Sequence, residues 1–244
     1  HYIGALCGME GILGQQDNPV RELFNHARPF LEERVKILYI MTVVSPEPGS
    51  QPELKGLFIG TDEDTFSAAC QLSRLINITH LPRPVETAVV YLDPLEYKSF
   101  WLGNKAIYRL KPAIADGGTI IVIAPGIRSF SENGKSSALI EKYGYRGREF
   151  IIDAVRRNEE LRDNLSVAAH LVHGSTEGRF DVVCAPGGMT KEMVEKAGFR
   201  YGNLQELLAK FDPHKVKAGF NTLPDGMTFY FIRNPGLGLW VYPG

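Results

Sequence analysis

A lysine and a tryptophan stand four residues apart in a segment whose composition predicts a helix. They are Trp101 and Lys105, within residues 99–115. Residues at positions i and i+4 share one face of a helix, so the ring and the ammonium would be neighbours. An ammonium beside an aromatic ring near a helix start can bind a carboxylate, and the helix dipole adds to the attraction. The alternative is an ordinary exposed lysine on a helix surface.

Histidines form a second group that could do chemistry. His170 and His173 are three residues apart. On a helix they would share a face and could hold a metal ion. Because the sequence shows no third ligand, the simpler interpretation is two histidines at the end of a helix or strand. His1 is either a terminal residue without a role or the last member of a site whose other members lie upstream.

The elements around Lys105 predict where its side chain lies. The apolar runs 85–92 and 119–124 are rich in β-branched residues and bounded by turn residues, which is typical of buried parallel strands. Residues 99–115 are long enough for the crossover helix between them. Open α/β sheets bind ligands beyond the carboxyl ends of their strands, where this helix begins. Together with a strand at 180–185, the alternation predicts an α/β domain with three of its strands in one sheet.

Two prolines in residues 80–84 predict a stiff, extended connection and a domain boundary. We therefore expect residues 1–82 to belong to a first domain and residues 83–244 to form a C-terminal α/β domain of layered strands and helices. The other elements that the sequence predicts are helices at 18–31, 64–76, 136–143, 148–164, 190–197 and 203–210, strands at 35–44, 227–233 and 239–242, a hairpin partner at 57–60, and a segment of either type at 166–172.

Composition excludes several classes of protein. The net charge of −1 gives no general attraction to nucleic acid or to anionic lipid. The longest apolar stretch, 35–44, contains Lys36 and is far too short to span a membrane. Phosphate-binding loops ending in Gly-Lys-Ser/Thr, Gly-x-Ser-x-Gly elbows and paired zinc ligands are absent from the sequence. The three cysteines are widely spaced and predict a reducing, cytoplasmic location: Cys7, Cys70 and Cys184.

Four blocks of sequence resemble the nickel-dependent lactate racemase family. They are Asn18-Pro19-Val20-Arg21-Glu22, Ile40-Met41-Thr42-Val43-Val44, Asn104-Lys105-Ala106 and Ala115-Asp116-Gly117-Gly118-Thr119-Ile120-Ile121. Their order and spacing fit over most of the chain. The resemblance implies a two-domain α/β enzyme with its active site between the domains. Because the chain opens at His1 without a methionine, we expect it to be the C-terminal portion of a divergent member.

The resemblance also implies an activity and a set of site residues. The activity is racemisation or epimerisation of a 2-hydroxy acid by proton-coupled hydride transfer to and from a nickel pincer nucleotide. By this resemblance His1 is similar to the nickel ligand, and Lys105 corresponds to the lysine that binds the substrate carboxylate. Trp101 and Leu102 replace a tyrosine and a glutamine that are common in the family, which favours a substrate bulkier than lactate.

Parts of the family's machinery have no counterpart in this sequence. The lysine that tethers the cofactor and the two acid–base histidines lie upstream of the nickel ligand in the family. The expected reaction therefore requires residues outside this chain. The alternative is a relative without cofactor that keeps the fold for binding or assembly. For the enzyme, the expected partner is a small 2-hydroxy acid, with no nucleic acid and no membrane.

Overall fold

The computed structural model describes residues 2–45, 53–236 and 238–243. The first third of the chain contains a short N-terminal helix, a 3-10 turn, two longer helices, a hairpin and a short strand. In order, these elements are α1 (Tyr2–Cys7), a 3-10 turn (Met9–Gly11), α2 (Pro19–Glu32), β1 (Tyr39–Ser45), β2 (Glu53–Gly60), α3 (Glu63–Asn77) and β3 (Ile78–His80).

Strands and helices alternate in the remaining two thirds. In order, these elements are β4 (Val85–Tyr91), α4 (Phe100–Gly103), α5 (Lys105–Tyr108), β5 (Ile114–Ala124), α6 (Gly134–Tyr143), α7 (Arg148–Arg157), α8 (Glu159–Arg162), α9 (Leu165–His173), β6 (Asp181–Pro186), α10 (Lys191–Lys196), β7 (Arg200–Tyr201), α11 (Leu204–Lys210), β8 (Gly219–Thr222), β9 (Thr228–Ile232) and β10 (Leu239–Val241).

A six-stranded sheet forms the centre of the molecule, in the order β7-β6-β5-β4-β9-β8. Neighbouring strands are parallel except β8, which runs antiparallel to β9. At its middle, Val122 pairs with Val90 on one side and with Cys184 on the other. The predicted α/β fold is confirmed, and the three predicted strands are adjacent in one sheet.

Both faces of this sheet are covered. Ala88 and Val90 of β4 belong to a large core packed with the helices from α4 to α10. Val89, between them, belongs to a smaller core on the other face, with Phe211 and Phe229. Successive residues of a strand point to opposite faces, so a strand apolar at every position needs cover on both sides.

The N-terminal hairpin has a simpler arrangement. Strands β1 and β2 pair antiparallel, and α3 packs across one face of the pair. Gly56 allows the close approach, since a Cβ atom there would lie 2.5 Å from Leu72 Cδ2. The strand predicted from residue 35 begins only at Tyr39, because β2 ends at the residue that pairs with it, Gly60.

The segment around Lys105 differs from the predicted single helix. The structure has two short helices, α4 and α5, on either side of Asn104. Pro112 lacks the amide hydrogen that a longer helix requires, and β5 begins at Ile114. The helix predicted at 148–164 is also divided, because Asn158 adopts an extended backbone with φ −123° and ψ 115°. Segment 166–172 is helical, within α9. The short strands β3, β7 and β8 were not predicted.

Contacts connect the two parts on either side of the predicted boundary. Strand β3 pairs in parallel with β10, and the Leu81 amide donates to the Val241 carbonyl at 2.8 Å. Helix α1 packs on α9, and Ala5 lies in the large core. The division at residues 82 and 83 remains a prediction. Among the described helices, none combines the length and the apolar character needed to cross a membrane.

Candidate functional site

The segment that carries Lys105 is held at the carboxyl edge of the central sheet. After β4 the chain runs through residues 92–99, and Ser99 forms a parallel bridge with Ser129 in the loop after β5. The Phe100 amide donates to the Ser129 carbonyl at 2.9 Å. Gly103 packs so tightly that an added Cβ would lie 2.6 Å from Ile127 Cδ1. The start of this segment, which itself follows β4, is therefore tied to the loop that follows the neighbouring strand β5.

Lys105 is half-buried at the start of α5. In the part of the chain that the structure describes, the ion pairs formed by lysines belong to other lysines. The Arg109 amide donates to the Lys105 carbonyl at 3.3 Å, as in a helix. The backbone is therefore close to helical from residue 100 to residue 109, which favours the predicted neighbourhood of Trp101 and Lys105.

Trp101 is fixed by a buried histidine. Its ring stacks on the ring of His170, with centroids 4.3 Å apart and planes inclined by 12°. His170 is 7% exposed, and its Nε2 lies 2.9 Å from the hydroxyl of Tyr145. Burial lowers the pKa of His170 to about 3. The ring is therefore neutral near pH 7, and it serves as a flat support for Trp101 rather than as a cation.

Asn104, next to Lys105, is completely buried. Its Nδ2 donates to the backbone carbonyl of His170 at 3.2 Å. Gly174 leaves the room for this amide, because a Cβ there would lie 2.5 Å from Asn104 Oδ1. The hydrogen bond joins the α4–α5 break to α9, so Trp101 and Lys105 are presented from a rigid base.

The structure places the two predicted histidines on one helix without building a metal site around them. His170 and His173 both lie on α9, but no group of three His, Cys, Asp or Glu residues among residues 2–45, 53–236 and 238–243 is placed to hold a metal ion. Burial, with a contribution from the nearby Lys111 ammonium, lowers the pKa of His173 to about 4. The simpler interpretation, two packed histidines at a helix end, agrees with this environment.

Lys111 is a buried cation with partners. Its Nζ lies 3.8 Å from Glu10 Oε1 and 3.9 Å from Glu177 Oε1. Burial lowers the pKa of Lys111 and outweighs the opposing effect of the two carboxylates. Because it faces Glu10 in the N-terminal 3-10 turn, it holds the beginning of the chain against the sheet domain. We assign it a structural role.

One predicted site residue stays untested, and two arginines that were not predicted line a cleft. The predicted nickel ligand His1 lies outside the described residues. Arg109, which sequence reasoning missed, lines a cleft together with Arg74. The sequence contained a signal for Arg109, because this residue follows Lys105 by four positions and would therefore lie on the same helix face. Arg74 had no such signal, because only the folding of the chain brings the end of α3 to this cleft.

Two solved structures have a fold similar to that of this chain. No family model and no curated protein matches the chain. A crystal structure of a Thermotoga maritima protein from a structural genomics consortium is similar with a TM-score of 0.77 and 23% identity, over 97% of this chain and 57% of that one. The lactate racemase apoprotein from Thermoanaerobacterium thermosaccharolyticum is similar with a TM-score of 0.62 and 13% identity, over 98% of this chain and 55% of that one.

These likenesses show a lactate racemase-like fold. At such identities they carry the architecture and not the residues of a site. The chain spans a little over half the length of both solved structures. Close to half of each solved structure therefore has no counterpart in this chain.

Proposed function

We propose that this chain forms the carboxylate-binding part of a 2-hydroxyacid racemase or epimerase. The observation that carries the proposal is the half-buried Lys105, which has no carboxylate partner among the described residues and follows the fixed ring of Trp101 by four positions. An ammonium that is partly withdrawn from water gains from an opposite charge beside it, and a bound carboxylate would supply that charge. The lactate racemase-like fold supports an organic acid as that anion.

Each residue then has a defined task. The Lys105 ammonium binds and orients the substrate carboxylate through a charge-assisted hydrogen bond. The Trp101 ring, held in place by His170, limits the space beside the substrate's side chain and favours an acid larger than lactate. With pKa values of about 3 and 4, His170 and His173 are poorly matched to taking a hydroxyl proton near pH 7. Proton transfer is therefore assigned to residues outside this chain.

The proposed cofactor is a nickel pincer nucleotide, which would accept the hydride that leaves the substrate's α-carbon and would later return it. The described residues alone do not fit it, since they place no three metal-binding side chains together. We assign its binding to His1 together with upstream residues. Replacing His1 by alanine in the full-length protein should lower the nickel bound per chain. An unchanged nickel content would remove His1 from the site.

The decisive variant is Lys105→Ala in the full-length protein. Losing a charge-assisted bond to a carboxylate costs about 1.5–3 kcal/mol, which is roughly a ten- to hundredfold loss in substrate binding. The measurement is racemisation of a panel of 2-hydroxy acids, with nickel content and circular dichroism recorded for each protein. Lys217→Ala is the matched control, because Lys217 is exposed and lies in the loop before β8.

Three outcomes separate the hypotheses. A selective loss in Lys105→Ala, with intact fold and nickel, supports the proposal. Equal activity of wild type and Lys105→Ala on every substrate would reduce Lys105 to a surface lysine. A full-length protein that binds no nickel and racemises none of the acids would favour the alternative, a relative without cofactor that serves binding or assembly.

A further inference from the structure

A cleft of about 280 Å³ lies one helical turn beyond Lys105, where the end of α3 meets the segment after β9. Its wall combines residues from both sides of the predicted domain boundary. Ser73, Arg74 and Asn77 come from the last turns of α3, whereas Arg109 and Gly236 come from the sheet domain. The proposed function uses none of these residues.

The charged side chains that line the cleft are both positive. Arg74 and Arg109 line it, and no aspartate or glutamate of the described residues does. The ion pairs that arginines form in the described part of the chain involve neither of them. Arg74 alone would be unremarkable, since a cation in the last turn of a helix interacts favourably with the helix dipole. Arg109 adds a second guanidinium from a separate element.

Two residues that line the cleft each have a buried polar atom without a hydrogen-bond partner among the described residues. Arg109 Nη1 donates to the Gly238 carbonyl at 2.9 Å, but its Nε is buried and forms no hydrogen bond among the described residues. Asn77 Nδ2 reaches Ser73 Oγ at 3.3 Å, whereas its Oδ1 is buried and likewise unpaired. A buried donor or acceptor without a partner costs stability, so such atoms indicate a missing ligand or water.

From these observations we infer that the cleft binds a small oxyanion that also carries a hydroxyl group. The two guanidinium groups recognise the oxyanion, because their planar donors match carboxylate and phosphate oxygens. The hydroxyl donates to Asn77 Oδ1 once the Asn77 side chain turns this buried atom towards the cleft. Protonated inorganic phosphate and 2-hydroxycarboxylates share this chemistry. The cleft has room for a ligand of that size and is below the usual volume for larger ones.

The test compares matched anions on the 244-residue chain by calorimetric titration at constant ionic strength. Phosphate is compared with sulfate, which has no hydroxyl donor at neutral pH, and glycolate is compared with acetate. We expect saturable binding in which each hydroxyl-bearing anion is tighter than its partner. Phosphate tighter than glycolate identifies a phosphate site, and the reverse order identifies a hydroxycarboxylate site.

Variants locate the binding. Arg74→Gln and Arg109→Lys should each weaken the tighter anion about tenfold or more, the loss expected for a charge-assisted bond. Asn77→Ala should remove the preference for the hydroxyl. Arg156→Gln, an exposed arginine outside the cleft, is the control and should change nothing. Because the proposed function places 2-hydroxy acids at Lys105, glycolate binding that Lys105→Ala abolishes and Arg74→Gln leaves unchanged belongs to Lys105 and counts against the cleft. Loss of binding in Arg74→Gln and Arg109→Lys supports the cleft whatever Lys105→Ala does, so that failure of the proposed function and failure of this inference are separable.

Two results would overturn the inference. One is the absence of saturable binding of all four anions by a folded chain, in which case water alone satisfies the unpaired atoms. The other is binding that Arg74→Gln and Arg109→Lys leave unchanged while both proteins keep the wild-type circular dichroism spectrum.

Discussion

Strands of the central sheet and of the N-terminal hairpin have similar compositions but are buried to very different degrees. Val89 and Val90 of β4 are both completely buried. Ile40 of β1 and Ile59 of β2, which pair with each other, are 66% and 56% exposed. The sheet has helices or loops packed on both faces, whereas the described residues cover only one face of the hairpin, with α3. An apolar run therefore indicates a strand without indicating how many of its faces are packed.

Helix α2, like the hairpin, is much more exposed than the central sheet. It has an amphipathic sequence, yet none of its residues is buried. It is held to α3 largely by charges: Arg21 Nη2 lies 2.9 Å from Glu63 Oε2, and Arg28 Nη1 lies 3.2 Å from the same oxygen. Partly exposed ion pairs contribute little stability, typically below about 1 kcal/mol each. We therefore expect the hairpin region, residues 19–77, to be much less stable than the sheet.

Replacing one phenylalanine by alanine in each region should give the largest difference between the regions in the free energy of unfolding. Phe100 is completely buried and contacts the rings of Phe130, Tyr145 and Phe199. Phe100→Ala should lower the free energy of unfolding by about 3–5 kcal/mol, because it leaves a cavity. Phe24 is 63% exposed, so Phe24→Ala should change the free energy of unfolding by less than about 0.5 kcal/mol. Urea unfolding followed by circular dichroism measures both, and equal losses would contradict the contrast.

Acid should destabilise the sheet region through its buried histidines. The folded-state pKa values of His170 and His173 are about 3 and about 4, below the usual 6.5. The unfolded chain therefore binds more protons, so stability is full above pH 6.5 and is lost as the pH falls from 6.5 towards 4. Each histidine contributes up to about 1.4 kcal/mol per pH unit in this window.

The measurement is urea unfolding at several pH values between 4 and 7. His170→Gln should lower the stability at pH 7 but should also flatten its dependence on pH. His26→Gln is the control from the hairpin region, because His26 is exposed on α2 and should leave the slope unchanged. A wild-type stability that does not vary with pH in this range would show that the histidines are not held neutral in the fold.

Much of the sheet could be predicted from residue types. The runs that became β4, β5 and β6 are β-branched and bounded by turn residues, and Asn18 with Pro19 marks the start of α2. The divided helix around Lys105 could not be anticipated in the same way. Asn104 is buried against α9, which is 61 residues further along the chain at its nearest end. A break stabilised by such a distant contact leaves no local signal.

The residues of the candidate sites likewise fall into two groups, those with a local sequence signal and those that only tertiary packing brings to the site. Trp101 and Lys105 were found by their helical spacing, and Arg109 continues that spacing. The support behind Trp101 could not be found, because His170 reaches it only through the packing of α9. The cleft with Arg74 and Arg109 likewise depends on where α3 ends relative to the sheet. Local periodicity locates side chains on one element, and only tertiary contacts bring two elements to a common site.

Removing one helix cap in each region is the smallest change and the sharpest test of whether the two regions unfold together. Asn18 Oδ1 accepts hydrogen bonds from the amides of Val20 and Arg21 at 3.1 and 3.0 Å. Asn133 Oδ1 caps α6 by accepting from the Ser136 amide at 3.1 Å. Loss of such a cap costs about 1 kcal/mol in either case. The two helices differ in burial, since α6 buries Leu139, Ile140 and Tyr143 and α2 buries none of its residues.

Asn133→Ala should therefore shift the global urea midpoint, because α6 belongs to the core that unfolds cooperatively. Asn18→Ala should leave that midpoint unchanged and instead speed hydrogen exchange of the α2 amides about fivefold, the factor that corresponds to 1 kcal/mol in a local opening. Amides of β5 should keep their exchange rates in Asn18→Ala, and Asn18→Asp, which retains a capping oxygen, should restore α2. If Asn18→Ala lowers the midpoint as much as Asn133→Ala does, the hairpin region and the sheet unfold as one unit. The exposed apolar face of the hairpin would then not make this region less stable than the sheet.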